Sequence, residues 1–96
     1  MLGKNLRLEK PASGRSRGWQ ILPNGEHVTI WDMSEADAVD TTVGSGSKRY
    51  IFQIDFIDGV AKGCRAVFFG EHYEVLEVSD STKRLRGLEL RCEKAA

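Results

Sequence analysis

Two histidines are the residues in this sequence best suited to acid–base chemistry. His27 and His72 stand far apart, and neither has a nucleophile or a carboxylate at a recognised motif spacing. The sequence contains no phosphate-binding P-loop, no GxGxxG fingerprint and no HExxH zinc motif. Cys64 and Cys92 form no CxxC pair and are too few for a disulfide framework. We therefore expect no catalytic residue, cofactor or metal, and we interpret the protein as not being an enzyme.

Charged side chains are instead grouped in segments of opposite sign, which suits binding rather than catalysis. The acidic group consists of Asp32, Glu35, Asp37 and Asp40. The basic group consists of Arg15, Arg17, Lys83, Arg84 and Arg86, for which solvated loops are the alternative interpretation. Trp31 precedes the acidic group on the outward side of a predicted strand, where an exposed tryptophan is typical of an interface. These ten residues are the predicted interface or channel positions.

The composition limits the kinds of partner. Lys+Arg and Asp+Glu number 14 each, so no overall basic field favours nucleic acid. The 96 residues predict a single domain, 1–96, and 41% hydrophobic residues are ordinary for a folded protein. No apolar run approaches the roughly 18 residues that span a bilayer, and the N-terminus lacks a signal-peptide core. We expect no membrane partner and synthesis in the cytosol.

Period-2 patterns predict the elements that position these groups. Trp19 and Ile21 begin a short apolar segment, which the turn signal Pro23-Asn24-Gly25 ends. Strands are predicted near Asn5–Glu9, His27–Trp31, Tyr50–Asp58, Ala66–Phe69, Tyr73–Val78 and Leu88–Glu93. In the third of these strands, Tyr50, Phe52, Ile54 and Phe56 form an apolar face, with Gln53 and Asp55 opposite. The last three predict two consecutive hairpins, with Glu89, Arg91 and Glu93 on a wet face. The fold class is therefore all-β, a small antiparallel β-barrel or sandwich of five to six strands.

The segment 32–48 interrupts this pattern and is predicted to be a long loop inserted between strands. Ser34 followed by Asp37 resembles an N-cap arrangement, which predicts a short helical turn over Ser34–Val39. The remainder, Asp40–Ser47, has the composition of a mobile loop. Loops of this length in small domains are often functional, so we expect function here.

The second half of the chain, VFFGEHYEVLEVSDSTKRLRGLELRCEKA, carries a family pattern. An aromatic pair, a glycine, a tyrosine-centred strand, a charged turn and a Leu-x-Leu-x-Cys-x-Glu ending occur at Phe68, Phe69, Gly70, Tyr73, Val75, Val78, Arg84, Leu88, Leu90, Cys92 and Glu93. This pattern resembles the C-terminal part of tailed-bacteriophage head–tail joining proteins, the head-closure, adaptor or stopper family. The segment Leu6–Lys10, the Trp31 strand and the following loop occur in the same order as the elements of that family, although the residues that usually flank the tryptophan differ here.

The resemblance implies a structural virion protein, assembled in the host cytoplasm. It would form a homo-oligomeric ring at the phage neck, between a portal or adaptor protein on the head side and a tail or tail-terminator protein. Genomic DNA would pass through the lumen without sequence-specific binding. Such a ring needs a head-to-tail interface, for which the basic and acidic groups are candidates, and acidic residues facing the lumen would repel phosphates.

Two other small-barrel classes stay open. Asp32-Met33-Ser34 is similar to the start of the D-x-S-x-x-G segment of PilZ-type cyclic-dinucleotide receptors, with Arg15-x-Arg17 as the arginine motif. Asp37 stands where that segment has glycine, and its charge would oppose a phosphate ligand. The other class is a nucleic-acid-binding barrel of the OB or SH3 type. Zero net charge and the absence of paired aromatics on a basic face count against it.

Overall fold

The computed structural model describes residues 5–12, 18–36, 48–82 and 85–94, and within them the chain forms seven strands and no helix. The strands are β1 Asn5–Pro11, β2 Trp19–Ile21, β3 Val28–Ala36, β4 Arg49–Asp55, β5 Arg65–Phe68, β6 Glu71–Asp80 and β7 Gly87–Lys94. All except β2 close into an antiparallel barrel, in the order β1-β3-β4-β7-β6-β5 and back to β1. The predicted all-β class is confirmed, as a barrel.

A membrane-crossing helix, one both long and apolar enough, does not occur among the residues described above.

The barrel interior is filled by the alternating side chains of the six strands. Leu6 and Leu8 of β1 and Leu88, Leu90 and Cys92 of β7 are buried, as the alternation predicts. Three aromatic rings meet at the centre: Phe52 lies edge-to-face against Tyr73, with centroids 5.2 Å apart, and against Phe68 at 5.8 Å. Such pairs contribute about 0.5–1.5 kcal/mol each beyond the burial of their surface.

Strand β1 closes the barrel because it pairs on both sides. Arg7, Leu8 and Glu9 pair with Val67, Ala66 and Arg65 of β5. On the other side β1 pairs first with β3 and then, through Glu9–Pro11, with β2.

The chain between β2 and β3 turns at Pro23-Asn24, as predicted, and passes close over β1 at Gly25. The amide of Leu8 donates a hydrogen bond of 2.8 Å to the carbonyl of Gly25. A Cβ at Gly25 would lie 3.0 Å from the Leu8 carbonyl oxygen and from two atoms of Leu22, so a larger residue would force the turn and β1 to shift slightly apart.

The predicted loop from Asp32 is wrong in its first part. Residues 32–36 are the second half of β3, and they pair with Gln53 through Arg49 of β4. The helical turn predicted from Ser34 is therefore wrong for Ser34–Ala36, which are extended. Residues 37–47, which include the rest of that turn and of the predicted loop, lie outside the described residues.

The assignment of faces in β4 and β7 also needs correction. Phe56 follows the end of β4 and is 57% exposed, so it does not extend the apolar face of Phe52 and Ile54. Gln53 and Glu89, predicted to be wet, are buried on the outside of the sheet. A mutual hydrogen bond, from Gln53 Nε2 to Glu89 Oε1 at 3.0 Å, compensates for their burial.

Both cysteines are free thiols buried in the protein. Cys92 points into the core between β4 and β6, where burial raises the pKa of its thiol to about 12. A thiol with so high a pKa stays protonated at neutral pH and is a poor nucleophile.

Candidate interaction surface

Trp31 projects from β3 at a β-bulge. Ile30 lies opposite Ile54, whereas Asp32 lies opposite Gln53, so Trp31 is an extra residue in the ladder. Because of the bulge, the consecutive residues Trp31 and Asp32 both lie on the outer wall. The inward-facing residues of β3 have even numbers before the bulge and odd numbers after it. The indole Nε1 of Trp31 donates a hydrogen bond to Asp55 Oδ1 of the neighbouring strand. The ring is therefore held in one orientation while 44% of the residue stays exposed.

A chain of polar contacts runs across the outer wall beside Trp31. Ser81 Oγ donates a hydrogen bond of 2.6 Å to Gln53 Oε1, and the side-chain amide of Gln53 in turn donates a hydrogen bond to Glu89. Arg91 then links Glu89, at 3.4 Å, to Glu77, at 3.7 Å. Because these contacts satisfy the polar groups on β4, β6 and β7, they stiffen the wall from which Trp31 projects.

Three further exposed residues lie where β4 ends and β7 begins. Phe56 is exposed, and its backbone amide donates to the carbonyl of Arg86 at 3.1 Å. Leu85, in the same turn, is 89% exposed. Phe56, Leu85 and Arg86 line one open cleft of about 490 Å³. Because Asp55 joins Phe56 to Trp31, we treat Trp31, Phe56, Leu85 and Arg86 as one surface, the anchor patch.

A second surface lies on β1, β2 and β5. Glu9 is buried although it faces outward, because two arginines cover its carboxylate. Arg7 Nε lies 2.8 Å from Glu9 Oε2, and Arg65 donates to Oε1 from Nε at 2.9 Å and from Nη2 at 2.6 Å. The guanidinium of Arg65 also lies 4.2 Å from the centre of the Trp19 ring. We call Arg7, Glu9, Trp19 and Arg65 the Trp19 corner.

The structure places only some of the predicted interface residues. Trp31 bonds to Asp55, which pairs with Gly87 beside Arg86, whereas Asp32 and Glu35 lie on strand β3 rather than in a loop. Asp32 is half-buried opposite Gln53, and Glu35 is exposed opposite Tyr50, so the two acids do not share a face. The remaining predicted positions, Arg15, Arg17, Asp37, Asp40, Lys83 and Arg84, lie outside the described residues.

The described residues show where the candidate metal-binding and acid–base side chains lie. Within residues 5–12, 18–36, 48–82 and 85–94, no group of three His, Cys, Asp or Glu side chains could hold a metal ion. His27 and His72 are both exposed. His72 lines an open cleft of about 300 Å³ together with Trp19, Cys64 and Arg65.

The Trp19 corner and half of the anchor patch are not apparent in the sequence. Glu9 and Arg65 are 56 positions apart in the chain, and no local pattern marks them as partners. Phe56 follows the apolar stripe of β4 and therefore looked like a core residue. Leu85 lies between Arg84 and Arg86 in the sequence. An apolar residue within a basic turn is the one sequence signal that could have indicated an exposed apolar side chain.

The sequence matches no family model, and neither the curated proteins nor the solved structures gave a match. We therefore infer function from the geometry of the two surfaces.

Proposed function

We propose that this protein is a structural component of a tailed-phage neck, where it assembles into a ring that joins the head side to the tail. The observation that carries the proposal is a closed barrel with large apolar side chains exposed at two separated ends. Closure removes the free edges of six strands, so contacts between copies must come mainly from side chains. Exposed aromatic residues and arginine are enriched at the centres of protein interfaces.

A ring needs two different patches on each copy, because each subunit contacts its neighbours head to tail. The anchor patch lies beside Gly87, the first residue of β7. Phe69, 74% exposed, lies in the turn between β5 and β6. That turn is at the other end of β7, since Glu71 forms an ion pair of 3.7 Å with Lys94. In the proposed ring, the anchor patch of one copy contacts the Phe69 end of the next.

Passage of DNA through such a ring is favoured by weak attraction to phosphate. The net charge of the chain is zero. Arg91 on the outer wall forms an ion pair with Glu77, and Lys94, at the end of β7, forms one with Glu71. Cations that are already paired release few counterions from DNA, which limits non-specific binding.

The experiment is a comparison of two single variants by mass photometry, with negative-stain electron microscopy of neck particles. Leu85→Asp places a charge in the anchor patch at a position so exposed that folding is unaffected. We expect it to abolish rings and to leave a folded monomer. Gln20→Asp, at an exposed position on β2 opposite Lys10 and outside the patch, is the matched control and should assemble as the unmodified protein does.

Two outcomes would sink the proposal. One is ring assembly by Leu85→Asp at the same concentration as by the unmodified protein. The other is electron microscopy in which no barrel of this size repeats around the axis below the portal. Calorimetry with a cyclic dinucleotide tests the receptor interpretation directly, since a neck protein should give no binding heat.

A further inference from the structure

The turn between β5 and β6 holds a phenylalanine in a backbone conformation that this residue rarely adopts. Phe69 has a φ of 52° and Gly70 a φ of 77°, so the loop that joins Phe68 to Glu71 is left-handed at both positions. Hairpin loops of this kind favour Asn-Gly, because asparagine and glycine tolerate a positive φ. A bulky residue at such a position is an outlier, and backbone outliers concentrate at functional sites.

Phe69 obtains little burial in this conformation. The residue is 74% exposed, although its ring touches that of Phe68, with the two centroids 4.6 Å apart. Phe68 is in turn packed against Phe52 in the core, with centroids 5.8 Å apart. The sequence therefore keeps a strained aromatic residue at the tip of a hairpin, where most of its surface faces solvent. Aromatic residues of this kind are enriched at protein interfaces.

The same chain has a cleft that suits an aromatic ring at its other end. The cleft of about 490 Å³ in the anchor patch is lined by Phe56 and Leu85, which are 57% and 89% exposed. Arg86 also lines it, and a guanidinium binds the face of an aromatic ring. Both sides carry charges of both signs, Glu71 with Lys94 at the tip and Asp80 with Arg86 at the cleft, so the contact depends on the apolar groups rather than on net charge.

The tip and the cleft cannot meet within one molecule. Tyr73, near the tip, pairs with Lys94, whereas Asp80, in the cleft, pairs with Leu88, so the two features lie at opposite ends of β7. Two different patches at opposite ends of one chain recur in head-to-tail order when copies join. A second copy is therefore the occupant that the arrangement favours.

We propose that Phe69 is the side chain by which one copy of the protein binds the next. Its ring enters the cleft between Phe56 and Leu85 of the neighbouring copy and lies against Arg86. The strain at Phe69 is then a cost to the single chain that the contact offsets. This inference rests on the proposed function, because it names the residue that joins ring subunits, but a contact between two copies can be measured without a ring.

The first test separates a binding role of Phe69 from a structural one. Phe69→Asn introduces the residue that the turn favours, so we expect a midpoint of unfolding in urea no lower than that of the unmodified protein. We expect the same variant to self-associate at least about tenfold more weakly in sedimentation velocity. A lower urea midpoint would overturn the proposal, because it would show that the ring serves mainly to cover Phe68.

The second test mixes two variants that each keep a different half of the contact. Leu85→Asp blocks the cleft and keeps the ring of Phe69, whereas Phe69→Asn removes the ring and keeps the cleft. Neither variant should associate alone. The mixture should sediment as a one-to-one dimer and as nothing larger, because a single pairing of tip and cleft remains. Leu85→Asp mixed with the double variant, which has neither half, is the matched control and should stay monomeric.

The outcomes for this contact and for the neck function are distinguishable. A mixture that stays monomeric overturns the contact, and rings formed by the unmodified protein would then still support the neck function. A one-to-one dimer from the mixture supports the contact. If that dimer forms while neck particles contain no ring of this barrel, the contact stands and the neck function fails.

Discussion

The two exposed tryptophans have almost the same exposure, 43% for Trp19 and 44% for Trp31, yet the protein supports them differently. Trp31 is held at the edge of its ring by a hydrogen bond to Asp55, on a strand paired at both sides. Trp19 is held at its face by Arg65, on the three-residue strand β2, which pairs with β1 and with no other strand among the described residues. Exposure alone therefore does not define a binding mode. Trp31 is fixed through its indole nitrogen, whereas Trp19 is fixed through the face of its ring.

The largest expected difference between the two regions concerns the buried carboxylates. Glu9→Gln leaves Arg7 and Arg65 without their counter-charge, and we expect it to lower the free energy of unfolding by about 2–3 kcal/mol in urea. Glu89→Gln is the matched control near Trp31. It keeps an acceptor for Gln53 and loses only a contact with half-exposed Arg91, so we expect about 1 kcal/mol or less. Equal losses of unfolding free energy in the two variants would show that Glu9 stabilises the protein no more than Glu89 does.

The cysteines test how tightly each region is packed. Cys64 lines the cleft beside Trp19, whereas Cys92 is fully buried in the sheet that carries Trp31. We expect iodoacetamide to label Cys64 at least tenfold faster than Cys92, a difference worth about 1.4 kcal/mol in opening. Mass spectrometry of each peptide over time measures both rates. Faster labelling of Cys92 would mean that the sheet that carries Trp31 is the more loosely packed of the two regions.

Cys92 also predicts a dependence on alkaline pH. Its pKa is raised in the folded protein to about 12 from an ordinary value of 9.0, because burial disfavours the thiolate. A raised pKa contributes stability that is present below pH 9 and lost as the pH rises toward 12. The free energy of unfolding should therefore fall over this window, and it should fall less in Cys92→Ala. Parallel curves for the two proteins would contradict the assignment.

The smallest expected effect on stability concerns the indole rings of Trp31 and Trp19. Trp31→Phe removes the indole N–H that binds Asp55, and we expect a loss of about 1 kcal/mol. Trp19→Phe keeps an aromatic face for Arg65, so we expect a loss of about 0.5 kcal/mol or less. Chemical denaturation of the two variants measures the order of these losses. A larger loss at Trp19 would mean that the indole nitrogen of Trp31 contributes nothing.

The sequence predicts most of the strands but not how they join. Alternation correctly identifies the core residues Leu6 and Leu8 of β1 and Leu88, Leu90 and Cys92 of β7, because one face of each strand is in the core. It fails after Trp31, since the bulge exchanges the inward and outward positions and makes residues 32–36 look irregular. It also misplaces Gln53, whose burial depends on a glutamate 36 residues away. Partners on distant strands are set by tertiary pairing, which a local pattern does not contain.

The position of β7 has a consequence for how the chain is made. The last described strand lies between β4 and β6, with seven residue pairs on the β4 side. A nascent chain that ends before Gly87 would leave β4 and β6 each with an open edge at the middle of the sheet, where aggregation begins. The closed barrel therefore forms only after Gly87–Lys94 has been translated.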